Sequence, residues 1–276
     1  MLQVIVFAIL MGVAVSHSGD KGKEVLRFFE SCNEVVMTMV SLLMHLAPYG
    51  VFCLLAKLFS ELGLSAILDL AKYFFTVALV LLLHGLGVYT TLFKLLTRLS
   101  PWVLLKNVRP AILFAFSTSS SSATMPVTMN VAEKRLGIDN SIASFTVPLG
   151  ATINMDGTAI MQGVATVFIA QAFNIDISLG GYVAVVLTAT LASIGTAGVP
   201  GVGLITLALV LQQVGLPLEG IALIIGVDRL LDMMRTAVNV TGDCMVSSVV
   251  ARSEGLLDET IFYEVSDRDE YEESAS

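Results

Sequence analysis

Read from its first residues, the chain runs through three long apolar stretches, from about Leu2 to Val15, Val35 to Leu58 and Lys72 to Phe93, with polar segments between them. A helix needs about 20 apolar residues to cross about 30 Å of hydrocarbon, so these stretches predict three membrane helices, the first a short one. Lys21, Lys23 and Arg27 follow the first stretch, the segment from Ser60 to Ser65 has no Lys or Arg, and Lys94, Arg98, Lys106 and Arg109 follow the third. The positive-inside bias orders these loops as inside, outside and inside.

Beyond Arg109 the apolar segments shorten and polar or Gly/Pro clusters interrupt them. Ala111 to Phe116 runs into Ser117 to Ser122, apolar chain resumes at Met125-Pro126-Val127, and Lys134-Arg135 closes the segment. Beginning and ending inside, it predicts a re-entrant hairpin. Ser141 to Phe173 predicts a spanning helix interrupted from Asn154 to Thr158, with its far end outside at Asn174-Ile175-Asp176. The theme then repeats from the other side. Tyr182 to Ala192 and Leu204 to Leu211 flank the Gly/Pro loop from Ile194 to Gly203, and a last helix from about Ile221 to Val250 returns to Arg252. A hairpin followed by a broken or polar helix, occurring twice in opposite orientations, is the pattern of inverted-repeat membrane transporters. Irregular backbone is tolerated at membrane depth only against protein or a water-filled cavity, so both hairpin tips and the Asn154 break are expected to converge.

Composition agrees: of 276 residues 55% are hydrophobic and 14% charged, and the mean hydropathy is +0.84, far from soluble averages. The net charge of -8 owes much to the tail from Leu256 to Ser276, which reads as a solvated acidic end. Lys and Arg are scattered between apolar runs, which argues against nucleic acid as a partner. Cys32, Cys53 and Cys244 have no framework spacing and predict free thiols, and His17, His45 and His84 have no zinc-site spacing. Met1 to Ser16 lacks the positive start and cleavage site of a signal peptide and reads as a membrane helix with neighbours upstream.

The last helix carries the chemistry. Asp228, Asp232, Arg235, Asn239 and Asp243 recur at helical spacing along one face. Each ionised side chain in mid-membrane costs about 2.5 to 3.5 kcal/mol even on the lenient insertion scale, so the stripe needs partners. Asp232 and Arg235 can pair at i, i+3, which on its own is compatible with a structural ion pair. The pair leaves the acids in excess, because Asp156, Asp228, Asp232 and Asp243 face a single arginine on that stripe. Bound cations or protonated carboxylates are the two ways to balance them. Asp156 and Asp243, with carbonyls freed at the Asn154 break, offer the oxygen ligands a small alkali cation prefers. Arg235 offers a fork for a carboxylate and Asp232 an acceptor for an ammonium group, which together describe an acidic amino acid. The serine run can present hydroxyls and N–H groups to a second carboxylate at the start of a half-helix. Gly195 to Gly203 lacks the Gly-Lys-Ser/Thr of a phosphate loop and suits a mobile lid. No carbonyl-filter sequence suggests an ion channel, and no Gly-x-Ser-x-Gly elbow suggests a serine hydrolase.

These residues resemble the glutamate transporter family, the dicarboxylate/amino acid:cation symporters. Ser120-Ser121-Ser122 with Thr124-Met125-Pro126 is similar to the family's first hairpin tip, and Asn154-Met155-Asp156-Gly157-Thr158 to its broken seventh helix. Gly195 to Gly203 is similar to the second tip, and Asp232-Met233-Met234-Arg235-Thr236 with Asn239 and Gly242-Asp243 to the eighth helix. The resemblance covers essentially the whole chain, starting around the family's fourth helix. It implies an all-α multi-pass membrane protein with two re-entrant helical hairpins in an inverted repeat. It also implies sodium-coupled uptake of glutamate or aspartate by an elevator motion, in a homotrimer of the plasma or inner membrane. A C4-dicarboxylate symporter, coupled to protons or sodium, is the alternative. The implied substrate residues are Ser120, Ser121, Ser122, Thr158, Gly198, Val199, Asp232, Arg235, Thr236 and Asn239. One sodium falls to Gly150, Asn154, Asn239 and Asp243, another to Asn154 and Asp156, and a third to carbonyls of Thr152, Ser193, Ile194 and Thr196. Residues 1–107 are then scaffold and supporting helices, 108–255 the transport core and 256–276 the cytoplasmic tail. Ser119 and Met233 stand where many relatives carry an additional arginine.

Overall fold

The computed structural model describes residues 2–44, 49, 52–53, 56, 65–194 and 196–264. It divides into two compact units, Met1–Leu64 and Ser65–Ser276, whose regular elements among the described residues are all helical. Part of the second apolar stretch, His45, the loop at Ser60, Gly195 and the tail beyond Glu264 lie outside the described residues.

The first unit contains α1 (Leu2–His17) and α2 (Asp20–Met44), packed together across a turn at Gly19, where φ is 58°. The hydropathy pattern places a polar connection at Lys21 to Arg27, yet these residues are helical. Lys, Glu, Arg and Leu are good helix formers, and Asp20 in the first turn complements the helix dipole, so α2 starts well before its apolar part.

In the second unit α3 (Ser65–Leu82) passes through a π-helical turn, Leu83–Tyr89, into α4 (Thr90–Thr97). Leu68–Thr97, with mean hydropathy 1.8, is long and apolar enough to cross a membrane. Next come α5 (Pro101–Thr118) and α6 (Ser121–Lys134), two helices folded back on each other. Pro101 starts α5 at the position where a missing N–H costs nothing. The serine run is the reversal itself: Ser119 adopts a left-handed φ of 53° and ends α5, and the Ser120 hydroxyl caps α6 by accepting from Ala123 N at 3.1 Å. Asp139 caps α7 (Asn140–Ile153) by accepting from the Ser141 hydroxyl and N–H, bonds that hold its carboxyl below the usual range. Asn154 and Met155 then break the helix, and α8 (Asp156–Ala172) resumes. A second folded pair, α9 (Leu179–Ile194) and α10 (Val202–Gln213), precedes the 33-residue α11 (Ile221–Ser253).

Helix α11 is the hub, packed against α3 to α8 and α10. Close approach is possible because its neighbours bury small residues such as Ala111, Ala115, Ala132, Ala143 and Ala151. At the base, Phe262 stacks on Phe93 and the Asn107 amide donates to the carbonyls of Arg135 and Phe262, both at 2.8 Å. Polarity is inverted relative to a water-soluble protein. Phe75, Phe145, Val186 and Ile205 are each at least 64% exposed, whereas Asp228, Asp232, Arg235, Asn239 and Asp243 are at most 8% exposed. An apolar outer face of this extent belongs against lipid or protein, not water.

Candidate functional site

The two reversals meet over α11. The Ser120 hydroxyl donates to the Gly198 carbonyl at 2.7 Å, and Ser122 N donates to the same oxygen at 3.2 Å. Glycine suits this close approach, since a Cβ on Gly198 would crowd Ser122 Oγ at 2.9 Å and the Ala151 carbonyl at 3.1 Å. From below, Asp232 Oδ2 accepts from Gly201 N at 2.9 Å, tying the second tip to α11. Beneath the tips lies a small pocket lined by Ser119, Ser121, Thr158, Thr196, Val199, Asp232, Thr236 and Asn239, with Met155, Ala197, Gly198 and Gly203 completing the wall.

Arg235 is 1% exposed and sits behind the pocket wall. Nη2 donates to Asp232 Oδ1 at 2.7 Å and Nη1 to Asp228 Oδ1 at 3.1 Å, while Nε has no partner. A Cβ on Gly203 would lie 3.3 Å from both terminal nitrogens, so glycine lets the second pair's backbone pass over the guanidinium. Asp232 thus binds both the arginine and the second tip, and it is the pocket's carboxylate.

Two turns along α11, a second cluster forms around the α7–α8 break. The Asn154 amide donates to Asp243 Oδ1 at 2.9 Å and to the Asn239 carbonyl at 3.1 Å. Asn239 Oδ1 accepts from Gly157 N at 2.8 Å, and its amide reaches Met155 Sδ at 3.3 Å. The Asp243 carboxylate lies against Gly150, where an added Cβ would come within 2.8 Å of its Cγ. Asp156 is held by His84 Nε2 at 2.6 Å and by a short hydrogen bond from the Tyr89 hydroxyl. Among the described residues no Lys or Arg bridges Asp156 or Asp243; the electrostatic neighbours of Asp243 are Asn154 and a second carboxylate, Asp156.

Of the expected substrate residues, Ser121, Thr158, Gly198, Val199, Asp232, Thr236 and Asn239 line one pocket. Ser120 and Ser122 instead latch the tips, with Ser122 exposed, and Arg235 is screened by its two acids. Of the expected sodium residues, Gly150, Asn154, Asp156, Asn239 and Asp243 gather at the helix break. Ser193 is buried at the end of α9, Ile194 is half-buried, and Thr196 bonds to the Ala192 carbonyl and to Thr206. The Thr152 side chain is exposed and bonds back to Pro148. Residues not anticipated are Met155, Ala197 and Gly203 in the pocket wall, and His84 and Tyr89 on Asp156. Ser119, expected as part of the serine run, brings a buried hydroxyl with no partner to the pocket.

Comparison with known proteins meets this geometry. The sodium:dicarboxylate symporter family profile matches residues 1–253. Over 251 residues, 90% of the chain, it is 41% identical to excitatory amino acid transporter 1 of Rattus norvegicus and 43% to an excitatory amino acid transporter of Caenorhabditis elegans. Identity to excitatory amino acid transporter 4 of Rattus norvegicus is 41%. The matched region is 46%, 50% and 45% of these proteins respectively, so the chain spans about half the length of the curated relatives it matches. These relatives are transporters, not enzymes, and the chain belongs to the sodium:dicarboxylate symporter family.

Proposed function

We propose that this chain is the substrate-binding core of a secondary symporter that couples sodium entry to uptake of an acidic amino acid. The observation carrying the reading is that Asp232 joins Arg235 on one side and the Gly201 N–H of the second tip on the other, inside a hydroxyl-lined pocket. A substrate side-chain carboxylate engages the Arg235 fork, and its ammonium group takes over Asp232. Thr158, Thr236, Asn239 and the first tip complete the contacts. Because Asp232 must release Gly201 N to receive the ammonium group fully, substrate entry and opening of the second tip are linked.

Sodium ions balance the remaining acids. Asp243 with Asn154, Asn239 and Gly150 forms one site, Asp156 with Asn154 another, and carbonyls of Thr152, Ser193, Ile194 and Thr196 a third. The two folded helix pairs act as re-entrant hairpins in an inverted repeat, and the second is the outer gate of an elevator-type alternating-access cycle. Residues 108–255 form the moving core, residues 1–107 scaffold and support, and residues 256–276 a cytoplasmic tail. The working protein is a homotrimer in the plasma or inner membrane.

The competing substrate is a C4-dicarboxylate, which uses Arg235 but has no group for Asp232. Uptake by the full-length protein in reconstituted vesicles, with sodium replaced by potassium at fixed pH, tests the coupling. Accumulation of glutamate or aspartate is expected to stop, and undiminished uptake contradicts the proposal. Succinate accumulating in place of either amino acid rejects the substrate assignment.

A further inference from the structure

The π-helical turn Leu83–Tyr89 interrupts an otherwise regular α-helical rod, and such turns are rare and concentrate at functional sites. His84 and Tyr89 are its two polar aromatic residues. Five residues apart in an α-helix, they would point about 140° away from each other. With i to i+5 bonding and about 4.4 residues per turn, the divergence falls to about 50°. Their rings meet edge to face at 4.6 Å, and both polar tips reach the same atom, Asp156 Oδ2. Gly85 between them lies against Val238 of α11, so the turn is seated on the hub.

The consequence falls on the other oxygen. Asp156 Oδ1 receives only a 3.2 Å contact from the Gly157 N–H, which is already committed to Asn239 Oδ1 at 2.8 Å. Asp156 opens α8 beside the helix break and retains 32% side-chain exposure. A carboxylate free to rotate offers either oxygen to a cation. One with Oδ2 held by His84 and Tyr89 leaves Oδ1 as the oxygen open to a cation. Tyr89 also borders the helix-break cluster, because its hydroxyl lies against Gly242, next to the Asn154 amide.

We propose that Tyr89 and His84 are positioning residues for the cation site at Asp156, and that the π turn exists to aim both at Oδ2. The inference rests on the sodium-symport reading and adds two residues of the π turn to it. Partners that orient a metal ligand typically change metal affinity 10- to 100-fold when removed.

The test is a sodium titration of the thermal unfolding temperature of the full-length protein in detergent, with potassium holding ionic strength constant. The wild type, Tyr89→Phe, His84→Ala and His84→Gln are compared. Tyr89→Phe and His84→Ala are expected to raise the sodium midpoint about tenfold. His84→Gln, which keeps a donor, is expected to recover part of that loss. Unfolding temperatures in potassium alone should stay close to wild type. Unchanged midpoints with a sodium-responsive wild type overturn this inference and leave the symport reading standing. A fall in stability in potassium with the midpoint unmoved also overturns it, because the two residues are then only packing. A wild type with no response to sodium brings down the symport reading and this inference together.

Discussion

Two clusters of charge share helix α11, and they are balanced by different means. Around Arg235, two acids converge on one guanidinium at 2.7 and 3.1 Å, and Gly201 of the second tip donates a further N–H to Asp232. Eight residues along the helix, about 12 Å away, Asp243 receives the neutral Asn154 amide and faces a second acid, Asp156, whose fixed partners are an imidazole and a phenol. The first cluster carries its own cation. The second has no permanent cation from Lys or Arg among the described residues, so its compensation has to arrive from solution. In the symport proposed above, this division separates a site for the organic substrate from sites for the driving ion.

Substitutions that sharpen the contrast should differ in which ligand they affect. The largest effect is expected from Arg235→Cys, which leaves Asp228 and Asp232 buried without their partner. Breaking a buried pair costs about 3–5 kcal/mol, and binding of acidic amino acids should fall at least a hundredfold while a neutral amino acid still binds; isothermal titration with both ligands checks this. Asp243→Asn comes next. Losing one charge-assisted contact is worth about 1.5–3 kcal/mol, so the sodium concentration for half-maximal substrate binding should rise about 10- to 100-fold, read from binding curves at graded sodium. Gly150→Ala pushes a methyl group into the Asp243 carboxylate, and overpacking of this kind costs about 1–3 kcal/mol. It should weaken the sodium response and lower the unfolding temperature, while Arg235 chemistry, followed by the substrate preference, is unchanged. The smallest effect is expected at Arg252→Ala. The Arg252–Glu259 pair is 39% and 47% exposed, where ion pairs contribute at most about 1 kcal/mol, so neither ligand should notice.

Much of this division was legible in the sequence, because intramembrane charge is costly enough to stand out. The helical spacing of Asp228, Asp232, Arg235, Asn239 and Asp243 foretold a buried stripe, and those residues are buried. The serine run and the Gly/Pro loop were expected to converge, and Ser120 and Gly198 are in hydrogen-bond contact. The break at Asn154 was legible too, although it is only two residues wide and Asp156 already begins α8. What escaped notice depends on geometry that spacing does not encode. His84 and Tyr89 fall on different faces of an ideal helix, and only a π turn unites them. Residues 20–34 mix charged and apolar side chains without a continuous apolar run, so α2 was expected to begin later than it does. The Asp232–Arg235 pair followed from its i, i+3 spacing, whereas the second contact, from Asp228 seven residues away, depends on rotamers and was not foreseen.

Under the proposed symport, sodium binds at the Asp243 cluster without help from the Arg235 cluster. Equilibrium binding of radioactive sodium to the full-length protein, without any amino acid, measures it directly. Arg235→Cys is predicted to bind sodium as the wild type does, while Asp243→Asn loses at least one ion per protomer. Wild-type sodium binding by Asp243→Asn would contradict the account.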